Sequence, residues 1–467
     1  MIDLKALREN PQRFKAGAAA KRVTVDIDAI LKIDADLRAA QTSLQSLTSE
    51  KNSISKTIGA LAGRLKKAAP AEKPALEAEM AALQKRPTEI KAAEADLTAL
   101  VSGLEAQRTL LLLHVPQPPD PDVPVGPDSS GNVEIRRWNP SWFDTSKSFS
   151  ANKGFAPRSH LELGRTLNLF DFERGAKISG SRSYVLTGDG MRLQQAVMRF
   201  AFDFMVNENG FRAMSAPVLI REECMVGTGF FPAGREQAYQ LNESTRSADH
   251  GSAPGYDLFL AGTGEVGLMA YHMDEILPAE KLPLKYVTVS DCFRREAGAA
   301  GKDTAGLYRI HHFQKVEQVV ITRADEAESR QWHQTMIGFV ETLLQRLEIP
   351  YRLLQCCTGD LGVKNADMID IESWMPSRGE VGPDGAPRGD YGETHSASRL
   401  YDFQCRRLNT RYKDDSGRTV VCHSLNNTVA AGPRILIPIL ELNQNADGSI
   451  TIPRPLRPYM NNQERIG

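Results

Sequence analysis

Between Ser290 and Glu317 the chain reads SDCFRREAGAAGKDTAGLYRIHHFQKVE. Arg294 offers a planar guanidinium fork suited to phosphate or carboxylate. Phe313 offers a face on which a base stacks, and Glu317 a carboxylate for an ammonium group. A strand carrying Arg294 and Glu296, a Gly/Ala-rich loop, and a return strand through Arg309, His312, Phe313 and Glu317 would aim these side chains into one cleft. Such a cleft would bring together an anion, a base and an amine. The competing reading is a charged hairpin on the surface.

Other chemistry-bearing patterns are weaker. GTGEVG at 262–267 matches the dinucleotide fingerprint GxGxxG, between strand-like YDLFLA and helix-like LMAYHMDEIL. No repeated βαβ unit surrounds it, so a nicotinamide or flavin site is not expected. No GxxxxGK[ST] run exists for a P-loop. The six cysteines (Cys224, Cys292, Cys356, Cys357, Cys405 and Cys422) form no CxxC pair, and no His cluster stands at zinc spacing. Reduced, buried thiols and no zinc are expected.

Three segments must hold this chemistry: 1–115, 116–150 and 151–467. Residues 26–115 contain no Trp, Phe or Tyr. Apolar residues recur at Ile30, Ile33, Leu37, Ala40, Leu44, Leu47, Ile54, Ile58, Leu61 and Leu65, interrupted by Lys51. After AAPAEKP (68–74) a second stripe runs Leu76, Met80, Leu83, Ile90, Leu97, Val101, Leu104 and Leu111, with exceptions at Pro87, Glu94 and Arg108. Two heptad stripes joined by a Pro-containing turn predict an antiparallel helical hairpin. Its reach is roughly 60 Å at 1.5 Å per residue. Pro87 is expected to bend or fray the second helix. Lys51, Lys56, Arg64, Lys66 and Lys67, toward the tip, are the residue types that contact RNA phosphate without reading sequence. A dimerising or spacing coiled coil is the alternative.

VPQPPDPDVPVGPDSSGN (115–132) reads as linker. The body mixes helical runs (190–210, 324–347) with strand-like runs (351–357, 367–375, 434–442), which cluster late without βαβ alternation. That pattern favours α+β with an antiparallel sheet. The 467 residues carry net charge −1, with 41% hydrophobic and 25% charged side chains. No global field draws nucleic acid, so any such surface is a local patch. MIDLKALREN lacks an apolar segment and LLLLHV (110–115) is too short to span a bilayer. A cytoplasmic protein with no membrane part is expected.

FRREAG…RIHHFQKVE resembles motif 2 of class II aminoacyl-tRNA synthetases, in the form seen in seryl-tRNA synthetases. The likeness runs the length of the chain. It takes in MIDLKALRENP, LTSEKNSISKTIG (47–59), VPVGPDSSGNVEIRRW, HLELG (160–164), MVGTGFFP (225–232) and LRPYM (456–460). GFRAMSAPVLI (210–220) resembles motif 1, its proline being Pro217.

The resemblance implies a class II antiparallel sheet flanked by helices, with an N-terminal coiled-coil arm that binds tRNA. It implies a homodimer through the motif 1 face, with tRNA crossing both subunits. The implied reaction activates L-serine with Mg·ATP to seryl-adenylate and transfers it to tRNA(Ser), and to tRNA(Sec) where one exists. For serine, the matching residues are Thr263, Gly264, Glu265, Arg294, Glu317, Asn426 and Thr428. For ATP they are Arg294, Arg295, Glu296, Phe313, Glu393, Thr394, His395, Ser396 and Arg434. Arg294, Glu393 and Arg434 are the implied catalytic set, and Glu393 with Ser396 the implied Mg²⁺ ligands. The physics agrees: a carboxylate attacking the α-phosphorus brings two anions together, which arginines and a cation must neutralise. No protein nucleophile is required.

Several positions depart from the family pattern. Gly267 stands for Pro in TxE-V-P, and Ala305 for a common Arg in the motif 2 loop. SCSN becomes Ser396-Ala397-Ser398-Arg399, and Asp367 replaces a lysine. Pro433 precedes Arg434, removing a backbone donor. NESTRSADHGSAPG (242–255) reads as a long surface loop. One rival is a paralogue that binds tRNA or a partner without charging, which should have lost Arg294, Glu317, Glu393 or Arg434. Another is a ligase that loads a carrier protein, which should lack the arm. All four residues and a full-length arm are present.

Overall fold

The structure, a computed structural model, describes residues 2–241, 258–298, 306–382, 385 and 387–467. It divides into two compact units, one of residues 4–15 and 24–115 and one of 1–3, 16–23 and 116–467.

The first unit is the hairpin. Helix α1 (Ile27–Leu65) starts where the Asp26 side chain accepts from the Ala29 amide, an N-cap. Helix α2 (Lys73–Leu112) carries Pro74 in its first turn, where a missing N–H costs little. The buried stripe of α1 holds Ile27, Ile30, Asp34, Leu37, Ala40 and Leu61. Asp34 thus takes an inward place that the heptad reading gave to Ile33. It is tolerated because Arg8, Arg38 and Arg108 surround it at 2.7, 3.2 and 2.9 Å. The Arg8 hydrogen bond holds its carboxyl below the usual range.

The interruptions in the two stripes answer one another across the hairpin. The Lys51 ammonium lies 2.5 Å from Glu94, and Arg108 reaches Asp34. Helix α2 continues through Pro87 without a break. The pairs Arg86–Glu50 and Lys51–Glu94 bracket that point and hold both sides of it to α1. At the far end, Lys56, Arg64, Lys66 and Lys67 are exposed.

The second unit is built on an eight-stranded sheet. Its strands are β1 (Val133–Trp138), β2 (Arg212–Met214), β6 (Leu284–Phe293) and β7 (His312–Thr322), with β8 (Tyr351–Gln355), β9 (Asp367–Met375), β10 (Asp390–Tyr401) and β11 (His423–Gly432). The order is β1-β8-β9-β10-β11-β7-β6-β2, antiparallel except for β2 beside β6. Three short strands, β3 (Leu219–Arg221), β4 (Tyr239–Leu241) and β5 (Leu258–Leu260), form a separate sheet.

Helices α3 (Gly188–Asp203) and α5 (Glu326–Arg346) pack on β11, and the short α4 (Glu265–Ala270) lies between them in the chain. Helix α5 starts at an Asp325 cap and buries Met336, Ile337, Val340, Leu343 and Leu344. Its apolar face and the inner face of β7 share one core with Val316 and Val320. A largely antiparallel sheet flanked by helices is the arrangement that the sequence led us to expect.

Two readings change. RILIPILEL (434–442) is not a strand: a turn leads into a helix, Leu436–Leu442, whose seven residues are all buried. A continuous apolar run does not separate a buried helix from a buried strand. The segment 116–150, read as linker, is built into the body. Its β1 pairs with β8, and the amides of Gln117 and Asp120 donate to the carbonyls of Val363 and Ala366. No helix among the described residues is long and apolar enough to cross a membrane.

Candidate active site

Strand β6 ends at Phe293, so Arg294 and Glu296 sit just past it rather than on it. The Arg294 amide bonds the His311 carbonyl, and its Nε donates to the Gly262 carbonyl at 3.2 Å. These contacts lay the guanidinium over the Phe313 ring, 5.3 Å from its centre. Glu296 takes a left-handed conformation (φ 51°) and pairs with Arg309 at 2.6 Å. Arg295 leaves on the other side, exposed, in a neighbouring groove with Arg235 and Tyr239. Successive residues along an extended chain point opposite ways, which separates it from Arg294.

Arg294, Glu296 and Phe313 line a cleft of about 480 Å³ together with Lys315, Glu393, Thr394, Thr428 and Arg434. Arg434 is held by two carbonyls, those of Tyr308 (3.1 Å) and Glu393 (3.0 Å), and lies 4.5 Å from the Tyr308 ring centre. Its guanidinium is also 3.6 Å from the Glu393 carboxylate. Pro433 follows the last residue of β11, so no ladder bond is lost, and its carbonyl accepts from Leu436.

Irregular pairing in β10 brings two residues three apart to one carboxyl. The β9–β10 register shifts at Ile371/Glu372, so Thr394 is an extra residue between Glu393 and His395. Ser396 bonds Asp370, and the charge of Glu393 acts on Asp370 as well. Burial first, then Glu393, pushes the Asp370 carboxyl up to about 8. Thr394 bonds Ser373 and the Ile371 carbonyl. His395 is buried and bonds the Thr394 hydroxyl, and burial lowers its pKa to about 3. His395 therefore sits under the cleft as a neutral ring.

Deeper lies a second cluster. Thr263, Glu265, Lys315 and Glu317 are all at most 6% exposed. Lys315 donates to the Thr263 hydroxyl at 2.8 Å and pairs with Glu317. Burial raises the Glu317 pKa, against the pull of Lys315. Glu317 stands opposite Thr428 in the β7–β11 register, beside a second shift at Val316/Glu317. Asn426 and Thr428, two apart, share the face toward the cluster, whereas Asn427 turns back and donates to the Met336 carbonyl of α5. Among the described residues, the buried Asn426 Oδ1 has no hydrogen-bond partner.

Gly264 is required by close approach. A Cβ there would stand 2.5 Å from the Thr288 methyl and 2.8 Å from the Ser290 hydroxyl. Gly264→Ala should cost about 1–3 kcal/mol of stability by overpacking. It should also displace Thr263 and Glu265, lowering turnover per serine roughly 100-fold. Amino-acid-dependent pyrophosphate exchange at varied serine reads this, and an unchanged Michaelis constant for serine would contradict it. Gly267, in the first turn of the helix Glu265–Ala270, leaves only 2.6 Å between an added Cβ and Ala216. A proline ring does not fit there.

Two departures at the back of the sheet explain each other. Asp367 and Arg399 are register partners in β9 and β10 and pair at 2.9 Å. Arg399 also binds Asp120. Burial opposes ionisation of Asp367, but His333 and Arg399 hold its carboxyl well below the usual range. Ala397 is a core residue. Ala305 and the 242–255 segment lie outside the described residues.

Sequence reasoning missed Lys315, Lys364, Gln404, Asp370 and Tyr308. Lys315 carried a signal, since it lies two residues before Glu317 on one strand. It also missed that Cys356, Asp360 and Asp370 place ligand atoms within 4.8 Å of one another. Burial raises the Cys356 pKa.

Residues 1–116 match the model of the seryl-tRNA synthetase N-terminal domain, and residues 252–443 that of the class II core domain of synthetases for G, H, P, S and T. The chain is 40% identical to the serine–tRNA ligase of Deinococcus radiodurans, covering 100% of this chain and 99% of that one. To the serine–tRNA ligase of Thermomicrobium roseum it is 39% identical, over 100% and 95%. The seryl-tRNA synthetase of Pyrococcus horikoshii, solved with ATP, superposes with a TM-score of 0.82 at 35% identity, covering 100% and 99%. Identity of this degree along the whole length settles kinship, and the chain belongs to the seryl-tRNA synthetase family.

Proposed function

We propose that the chain activates L-serine with ATP and transfers the seryl group to tRNA(Ser), and to tRNA(Sec) in a host that has one. The observation that carries this is the continuity of two sites at Arg294. On one side of it lie an aromatic face and a second arginine, as a nucleotide needs. On the other lies a buried, hydroxyl-lined acidic cluster, as a small amino acid needs.

The adenine stacks on Phe313, with Glu296 at its edge. Arg294 bridges the serine carboxylate and the α-phosphate, and Arg434 holds the γ-phosphate. Together they draw two anions into line without a protein nucleophile, and positioning supplies roughly 7–11 kcal/mol of the barrier. Glu317 accepts from the serine ammonium and hydroxyl, with Thr263, Asn426 and Thr428 around it. A buried site built to bond a hydroxyl rejects alanine by roughly 10⁴ or more.

Magnesium is supported by the donor set. Glu393, Ser396 and Asp370 are hard oxygen ligands, and Asp370 keeps a buried Oδ1 without a partner. Glu393 and Ser396 would hold the ion, which neutralises phosphate charge when bound. The arm binds tRNA through phosphate contacts of Lys56, Arg64, Lys66 and Lys67; Lys51 is engaged by Glu94 and contributes mainly to the hairpin. Exposed Leu219, Tyr271, Ile276 and Val289 supply apolar surface for a homodimer near motif 1, with tRNA spanning both subunits. The cytoplasm is the matching location.

The test is ATP–pyrophosphate exchange by purified protein with serine, alanine or threonine. Exchange with serine alone is expected, and its absence would overturn the assignment.

A further inference from the structure

Glu265 and Glu317 are the two carboxylates of the amino-acid pocket that are at most 2% exposed, and Glu265 is held from outside the pocket wall. Its Oε1 receives two donors from distant segments. Lys364 Nζ lies at 2.6 Å and Gln404 Nε2 also at 2.6 Å. Among the described residues, no hydrogen bond is made to its Oε2. Gln404 cannot turn over, because Ser424 donates to its Oε1 and its Nε2 also serves the Thr228 carbonyl. Lys364 is held over the Phe230 ring, 4.0 Å from its centre, and its side chain is 13% exposed.

Four charges meet here, Glu265 and Glu317 against Lys315 and Lys364, and each carboxylate has its own lysine. Lys315 also touches Thr263, so it belongs to the pocket wall. Lys364 does not line the cleft; its hydrogen bond to the pocket is made to Glu265, and its charge also reaches Glu317.

We propose that Lys364, with Gln404 behind it, is a positioning residue for serine. By taking Oε1 it fixes the rotamer of Glu265 and leaves Oε2 as the oxygen presented to the substrate's ammonium. Its charge offsets that of Glu265, as Lys315 offsets that of Glu317, so the ammonium is met by placed acceptor oxygens rather than by excess negative charge. Without Lys364 two carboxylates would share one lysine, and the pocket would trade a fixed hydrogen-bond acceptor for a mobile one. The proposal rests on the serine-activating reading above.

The experiment is steady-state exchange with wild type, Lys364→Met, Lys364→Arg and Glu265→Gln. Lys364→Met should raise the Michaelis constant for serine on the order of 10- to 100-fold and leave that for ATP within about twofold. Lys364→Arg, which keeps the cation, should recover most of the loss. In a Glu265→Gln background Lys364→Met should add little, because the residue it acts through is gone. If Lys364→Met does not fold, Lys364→Gln, close in length, gives the same reading.

Three results would overturn the proposal: an unchanged serine constant, equal losses for serine and ATP, or additive effects in the double variant. Wild type that fails to exchange with serine overturns the activity itself; wild-type exchange with an unaffected Lys364→Met overturns only the role of Lys364.

Discussion

Arg294→Ala is expected to lower serine-dependent pyrophosphate exchange on the order of 10³-fold or more, with the fold intact. The size follows from what Arg294 does at once. In the proposed site its planar fork would meet both reacting anions, where a preorganised donor counts for more than in solution. Removing a single transition-state donor from such sites costs about 10²–10³ in turnover, and in this role the same residue would also position the nucleophile. Stability should hold. The side chain is only partly buried and, among the described residues, donates to one carbonyl and lies over one ring face. Arg294→Lys should recover little, since a point charge does not reproduce the fork. Exchange kinetics, with light scattering and thermal melting as controls, decide the matter. Near-normal turnover would show that the reaction centre lies elsewhere.

Deleting residues 30–110 should separate the two half-reactions. Exchange should persist within a few-fold, because every residue assigned to serine and ATP lies in the unit of 116–467. Charging of tRNA should fall on the order of 10³-fold, the loss expected when several phosphate contacts are removed together. A gentler form replaces Lys56, Arg64, Lys66 and Lys67 with alanine. That variant should weaken tRNA binding and flatten its dependence on salt, by about 0.7–0.9 in log–log slope per lost contact. Retained charging by the deletion would refute the arm's role.

The parts of this molecule that were readable in advance share one property, which is that their signal is local. Heptad spacing in α1 and α2 sits within about forty residues, and the strand–loop–strand unit carries Arg294, Phe313 and Glu317 on one short stretch. Strand alternation would also have found Lys315. The missed contacts are made by segments far apart: Lys364 and Gln404 reach Glu265 across 99 and 139 residues of chain. No periodicity announces such pairings. The helix at Leu436–Leu442 was misread for a different reason, since burial on all sides erases the alternation that would have typed it. The unbroken helix at Pro87 shows tertiary pairing overriding a local breaker.

The Asp367–Arg399 pair also matters to anyone who edits the sequence. Where the family pattern has a lysine and an asparagine, this chain has an acid and a base that face each other inside the sheet. Neither exchange is harmless alone. Restoring the lysine at 367 would set two cations side by side against Asp120; restoring the asparagine at 399 would leave Asp120 to Arg330 and Tyr401, and Asp367 to His333 and Gln355. The two positions therefore behave as one unit. For anyone grafting segments between relatives of this protein, β9 and β10 form a single cassette, with the Asp120 segment travelling alongside. A chimera cut between them would fail for reasons that no inspection of the serine pocket would reveal.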